Sequence, residues 1–270
     1  MSAAVRVERI SFSYPVTGWS LAPVSFEVGE GEILAVVGPN GSGKSTLLKI
    51  IAGFLKPLGG RVSAAGLDVH RAVRREVARV LGYLPQEVAS EFDFTVDEVV
   101  SFGRHCHTGH LGFLSEHDAR VVEEALERTG MADMRRRPLS RLSGGERRRA
   151  YLASVLAQEP KVLLLDEPTS ALDVEHQLAF FELLARLAKS GLVVIVVTHE
   201  LNLASLFASR IFLFNRGELA ASGTAREVLC EKVLNPIYGD SLLVTGHPQV
   251  DLPVILPRRR EEHLKGAAEP

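Results

Sequence analysis

Residues 33–46 read Ile-Leu-Ala-Val-Val-Gly-Pro-Asn-Gly-Ser-Gly-Lys-Ser-Thr, and the fold follows from this stretch. Ile33 to Val37 form an unbroken apolar run of strand length, as expected where both faces of a strand are covered. Gly38, Gly43, Lys44 and Ser45 then complete the spacing G-x-x-x-x-G-K-[ST], with Pro39, Asn40, Gly41 and Ser42 between them. From Thr46 the pattern turns helical. Glycines let a backbone close around an anion, and amide groups at a helix start point towards it. In such a loop the Lys44 ammonium reaches phosphate oxygens and the Ser45 hydroxyl is a ligand for Mg²⁺. The stretch predicts a strand, a phosphate-binding loop and a helix.

Outward from this stretch, residues 5–14 alternate apolar and polar and end at Tyr14, and 23–28 predict a second strand. A helix is expected over 70–79 and a strand over 80–86, closing at Gln86. Residues 88–156 contain no convincing buried strand and at least three helical patterns, one opened by Ser115 and closed by Gly130. Buried-strand runs return at 161–166, 193–198 and 211–214, with helical stretches between them. The expected fold is α/β, a mostly parallel sheet with an antiparallel β edge and an inserted helical lobe. From 224 a C-terminal extension follows, whose last 13 or so residues are polar enough to predict disorder.

The 270 residues carry 46% hydrophobic and 24% charged side chains, an ordinary globular balance. Their net charge of −2 gives no field that advertises nucleic acid or an anionic membrane. Cys106 and Cys230 are far apart and fit a reducing compartment. No signal-peptide pattern opens the chain, and no apolar run approaches the ~20 residues that span a bilayer. A role at a membrane would therefore require docking on another protein.

Leu163-Leu-Leu-Asp166-Glu167 brings two carboxylates to the C-terminal edge of a buried strand, where open α/β sheets bind ligands. Asp166 suits a hard cation and Glu167 an attacking water, although an acidic turn before Pro168 would look the same. Ser143-Gly144-Gly145-Glu146 opens a helix either as a capping box or as a second anion site; its two glycines cost helix stability and favour a close backbone approach. His105, Cys106, His107 and His110 could hold a metal or belong to a docking face. The arginine runs 135–137 and 147–149 read as solvated faces.

Taken in order, Gly38–Thr46, Gln86, Leu142-Ser-Gly-Gly-Glu, Leu165-Asp-Glu-Pro, Ser170-Ala-Leu-Asp173 and His199 resemble the ATPase of an ABC transporter across nearly the whole chain. The resemblance implies a RecA-like P-loop core at 1–87 and 157–223, a helical subdomain at 88–156 (the ABC domain spanning 1–240) and an extension at 224–270. It implies ATP and Mg²⁺ as cofactors, with Ser45, Gln86 and Asp166 around the metal. Catalytic roles fall on Glu167, His199, Gln86 and Lys44. Tyr14 matches the aromatic that stacks on adenine; by its residues alone it could equally close a core strand. Ser143, Gly144 and Gly145 match the segment that meets the γ-phosphate held by the other copy in a homodimer, and Asp173 the loop that couples the two sites. His199, taken alone, could be structural. Glu146 stands where the commonest signature has Gln.

Around Gly103-Arg104 and His107, and again at 233–238 and 245–257, the chain resembles importer ATPases for iron chelates, haem and cobalamin. Those ATPases sit peripherally on the cytoplasmic face of the membrane, bound to permease subunits and linked through them to a periplasmic or extracellular substrate-binding protein. The segment 104–113 matches the place where a permease helix docks. An exporter ATPase and a soluble ABC ATPase remain as alternatives.

Overall fold

The computed structural model describes residues 4–88, 92–108, 113–170 and 172–258. The elements in chain order are β1 (Val5–Ser13), β2 (Ser20–Val28), β3 (Ile33–Val37), α1 (Lys44–Ile51), β4 (Gly59–Ala64), β5 (Leu67–Asp68), α2 (Arg74–Val80) and β6 (Leu81–Leu84). Next come α3 (Val96–Phe102), α4 (Glu116–Thr129), α5 (Gly144–Leu156), β7 (Val162–Asp166), α6 (Val174–Lys189), β8 (Val193–Val197) and α7 (Leu201–Phe207). The chain continues through β9 (Arg210–Asn215), β10 (Glu218–Gly223), α8 (Ala225–Val228), α9 (Glu231–Tyr238), β11 (Leu242–Gly246) and β12 (Pro253–Pro257).

The central sheet runs β10-β9-β3-β8-β7-β6. Its pairings from β9 to β6 are parallel, and β10 closes one edge antiparallel to β9. Every residue of β3, β7 and β8 is buried, because the sheet is covered on both faces. The two-residue period divides these strands between two cores. Ile33, Ala35, Val37, Leu163 and Leu165 face the side holding α3, α4, α5 and α6. Leu34, Val36, Val162 and Leu164 face α1 and a second, antiparallel sheet of order β2-β1-β4-β5. Phe26 and Phe212 meet edge to face between the two sheets, with centroids 5.0 Å apart.

Between β6 and β7 the described residues hold the helices α3, α4 and α5 and no strand. Reciprocal capping boxes open α3 at Thr95–Glu98, α4 at Ser115–Asp118 and α5 at Ser143–Glu146. Gly130, with φ 68°, ends α4 in the left-handed conformation. No helix of the described residues is long and apolar enough to cross a membrane.

Several boundaries differ from the sequence expectation. β2 begins at Ser20, before the expected 23, because β1 is long enough to pair with it from Ser13. The helix expected from residue 70 begins at Arg74, since Asp68 accepts from the His70 amide and holds a turn there. Beyond 224 the chain packs closely: Val228, Leu229, Leu234 and Ile255 all enter the helical-side core. The residues expected to be disordered lie, apart from Arg258, outside the described ones, as does His110.

Candidate active site

The phosphate loop leaves β3 at Gly38, whose φ of 144° suits only glycine; a Cβ there would stand 2.1 Å from the Phe214 carbonyl oxygen. Gly43, with φ 107°, starts α1 without a side-chain cap, and the first turn of α1 contains no acidic residue. The amides and positive end of α1 are thus left to an anion. Lys44 is buried and donates to the carbonyls of Gly38 and Pro39, each at 2.9 Å. Burial lowers its pKa, and Glu167 and Asp166 partly offset that shift.

Parallel pairing carries the ends of β3, β7 and β8 to one edge of the sheet, where their loops meet. The Ser45 hydroxyl donates to Asp166 Oδ1 at 2.8 Å, and the Tyr83 hydroxyl to Asp166 Oδ2 at 3.3 Å. Burial and the adjacent Asp166 raise the Tyr83 pKa, so this phenol remains a donor. Glu167 lies between two partners: Gln86 Nε2 donates to its Oε2 at 2.8 Å, and His199 Nε2 is 2.5 Å from its Oε1. Its φ of 45° is left-handed, a conformation that costs a non-glycine residue about 1–3 kcal/mol. The Glu167 amide donates to the Val197 carbonyl at 3.0 Å, which ties that strained backbone to β8.

A cavity of about 680 Å³ opens over this edge. Tyr14, Asn40, Gly41, Gly43, Lys44, Ser45, Thr46, Gln86, Glu167 and His199 all line it. Tyr14 Oη is 3.4 Å from Thr46 Oγ1, and its ring packs edge-on against Phe12 at 4.8 Å. Trp19 lines the same cavity and covers Gly43, a part that its sequence context did not signal.

Ser143, Gly144 and Gly145 do not line that cavity. Glu146 turns back to accept from the Ser143 amide at 2.8 Å, and this bond holds its carboxyl below the usual range. A Cβ on Gly145 would lie 2.7 Å from the His176 ring. Asp173 caps α6, accepting from the amide of His176 at 2.9 Å and lying 2.6 Å from its Nδ1.

Two charged residues depart from the sequence reading. Arg104, expected on a docking face, is 1% exposed; it binds Asp118 at 2.8 Å, Glu159 at 2.7 Å and the Ala157 carbonyl at 2.7 Å. Arg148, expected on a solvated face, is buried, whereas Arg135 pairs with Asp97 and Glu123. Cys106 is buried, burial raises its pKa, and His107 Nε2 is 2.9 Å from the Gln158 carbonyl. The described residues contain no cluster that could hold a metal through three or more His, Cys, Asp or Glu.

A strand-loop-helix phosphate cradle, a histidine after the adjacent strand β8 and a carboxylate pair at the end of β7 beyond it belong to nucleotide chemistry. The family described as "ABC transporter" matches residues 21–170. The chain belongs to the ABC transporter family. It is an ATP-binding subunit, of a family whose members hydrolyse ATP to power transport.

The hemin import ATP-binding protein HmuV of Streptomyces coelicolor (strain ATCC BAA-471 / A3(2) / M145) is 42% identical over 236 residues, 87% of this chain and 84% of that one. The uncharacterized ABC transporter ATP-binding protein YvrA of Bacillus subtilis (strain 168) is 37% identical over 249 residues. That match covers 92% of this chain and 56% of YvrA, so this ABC subunit spans little more than half the length of that relative. A solved ABC transporter described as of metal-chelate type, in an inward-facing conformation, superposes with a TM-score of 0.85 at 28% identity, covering 97% of this chain and 100% of that one.

Proposed function

We propose that this subunit hydrolyses ATP to drive uptake of a metal chelate such as haem, an iron chelate or cobalamin, through a separate permease. The observation that carries the hydrolytic part is Glu167, held between Gln86 and His199 at the mouth of the phosphate loop. The similarity to a hemin importer subunit and to a metal-chelate transporter supports the substrate class.

In this reading Tyr14 stacks on adenine while residues 38–46 and the Lys44 ammonium hold the phosphates. Ser45 and Asp166, hard oxygen donors 2.8 Å apart, fit Mg²⁺, with Gln86 alongside. That cation, when bound, neutralises phosphoryl oxygens. Glu167 orients a water and takes its proton as the water oxygen bonds the γ-phosphorus; the bond to the bridging oxygen breaks, ADP leaves, and His199 steadies the transferred phosphoryl group. Ser143, Gly144 and Gly145 serve the nucleotide of a second copy in a head-to-tail homodimer, and Asp173 links the two sites. The core comprises 1–87 and 157–223, the helical subdomain 88–156 and the extension 224–270. The dimer lies peripherally at the cytoplasmic face, on permease subunits that in turn meet a substrate-binding protein.

Glu167→Gln tests the catalytic assignment. The amide keeps the size and one acceptor but loses the charge, so ATP still binds while hydrolysis falls by about 10²-fold or more. Hydrolysis at the parental rate removes Glu167 from the reaction.

A further inference from the structure

Arg148 lies in the second turn of α5, the helix that begins at the Ser143–Gly145 segment. Its side chain crosses from the helical lobe to the catalytic edge of the sheet. Nη1 donates to the Pro85 carbonyl at 2.8 Å and the Gln86 carbonyl at 3.1 Å, and Nη2 to the Asp166 carbonyl at 3.3 Å. One planar group therefore holds the backbone of Gln86 and of Asp166, the residue before Glu167, and the Gln86 side chain itself donates to Glu167 at 2.8 Å.

The site is a costly place for a cation. Arg148 is 9% exposed and forms no ion pair among the described residues. Its Nε has no partner there either. Burial pulls its pKa down to about 10, and Asp166 offsets only part of that. A Met or Leu would fill the space without desolvating a charge. A guanidinium offers instead a rigid fork that fixes three carbonyls relative to one helix.

We infer that Arg148 is a positioning residue: it ties the seating of α5 to the placement of Gln86 and Glu167, so the carboxylate aligns only when the lobe is docked. The inference rests on the proposed role of Glu167 and on contact of the α5 start with phosphate. A lobe that shifts moves the Gln86 and Asp166 carbonyls through this fork, and the paired Gln86 and Glu167 side chains follow. Such a device is a contiguous physical linkage between the second phosphate-facing segment and the attacking water.

The experiment is steady-state ATP hydrolysis by the purified full chain, with ATP affinity followed by the fluorescence of Trp19, the single tryptophan, and folding by thermal melting. Arg148→Met is expected to lower kcat by about tenfold or more while ATP affinity stays within about twofold. Arg148→Lys, which keeps the charge without the fork, restores part of the rate. Gln86→Ala costs less in the Arg148→Met background than in the parent, because the two act in one linkage. A folded Arg148→Met with parental kcat overturns the inference, as does full additivity with Gln86→Ala. Should Arg148→Met fail to fold, a folded Arg148→Lys with parental kcat overturns it and one with reduced kcat at unchanged affinity supports it. Glu167→Gln run in parallel separates the failures. Its parental rate would bring down the catalytic reading beneath, whereas a slow Glu167→Gln beside unaffected Arg148 variants overturns this inference alone.

Discussion

Two helices of this molecule begin at glycines, and their surroundings are opposite. α1 starts from Gly43 with no side-chain cap and no acid in its first turn, inside a cavity lined by Gln86, Glu167 and His199. α5 starts from Ser143 with its cap complete, Ser143 and Glu146 satisfying each other, outside that cavity. Both starts share the glycine pattern and the positive end of a helix. Only the first is surrounded by groups that can carry a reaction on a bound phosphate. Glycine spacing marks where a backbone can come close to a ligand, and the neighbouring strands decide whether one chain supplies the rest. In the proposed dimer, the start of α5 finds its missing partners on the other copy.

The largest effect sharpens the contrast between a lobe built for rigidity and a core edge built for chemistry. Arg104→Ala leaves Asp118 buried without its cation and should lower unfolding stability by about 3–5 kcal/mol in a denaturant titration. A loss below about 1 kcal/mol would return Arg104 to the surface role its sequence context suggests. The same pair makes the lobe acid-sensitive. The Ser115 hydroxyl and amide, helped by Arg104, hold the Asp118 pKa at about 2. A depressed carboxylate stabilises the fold above its unfolded pKa, about 3.9, and that contribution disappears as pH falls through about 2. Thermal melts from pH 5 downwards should show stability falling in the parent, with Asp118→Asn less sensitive to pH over that window.

The next prediction compares the glycines directly. Gly38→Ala forces a Cβ against a carbonyl and should weaken ATP binding by about 10²-fold, some 2.7 kcal/mol. Gly145→Ala meets first the His176 side chain, whose ring can move, so the isolated chain should bind ATP within about twofold of the parent yet hydrolyse it more slowly. Equal binding losses would erase the distinction between the two helix starts.

Tyr14→Ala should reduce ATP affinity by about 1–3 kcal/mol if its ring lies on the base, measured through Trp19 fluorescence. Unchanged affinity would return Tyr14 to a packing role beside Phe12 and Trp19. The smallest effect concerns Glu146. Replacing it with Gln removes a negative charge from the α5 start and should strengthen ATP-dependent dimerisation by about 0.3–1 kcal/mol, read by light scattering. A weakened dimer would show that the cap held by the carboxylate outweighs its repulsion.

The parallel sheet and the phosphate loop were legible because β3, β7 and β8 are buried on both faces and so must be continuously apolar. The capping boxes at Ser115 and Ser143 were equally plain, since a reciprocal bond needs a fixed spacing. Arg104 and Arg148 depart from their sequence context for one physical reason. A buried arginine leaves no local pattern, because its partners come from other parts of the chain: Asp118, Ala157 and Glu159 for one, Pro85, Gln86 and Asp166 for the other. Trp19 leaves no local pattern either, because the glycine it covers lies 24 positions later.

The central claim, that one ATP is held by the core edge of one copy and the α5 start of another, is tested most directly by the mass of Glu167→Gln in solution. Light scattering after chromatography should give a dimer in saturating Mg-ATP and a monomer without nucleotide, because slow hydrolysis leaves the bridging ATP in place. Lys44→Ala should stay monomeric under both conditions, having lost its hold on the phosphates. A Glu167→Gln protein that binds ATP, fails to hydrolyse it and still runs as a monomer would contradict the shared site at Ser143–Gly145.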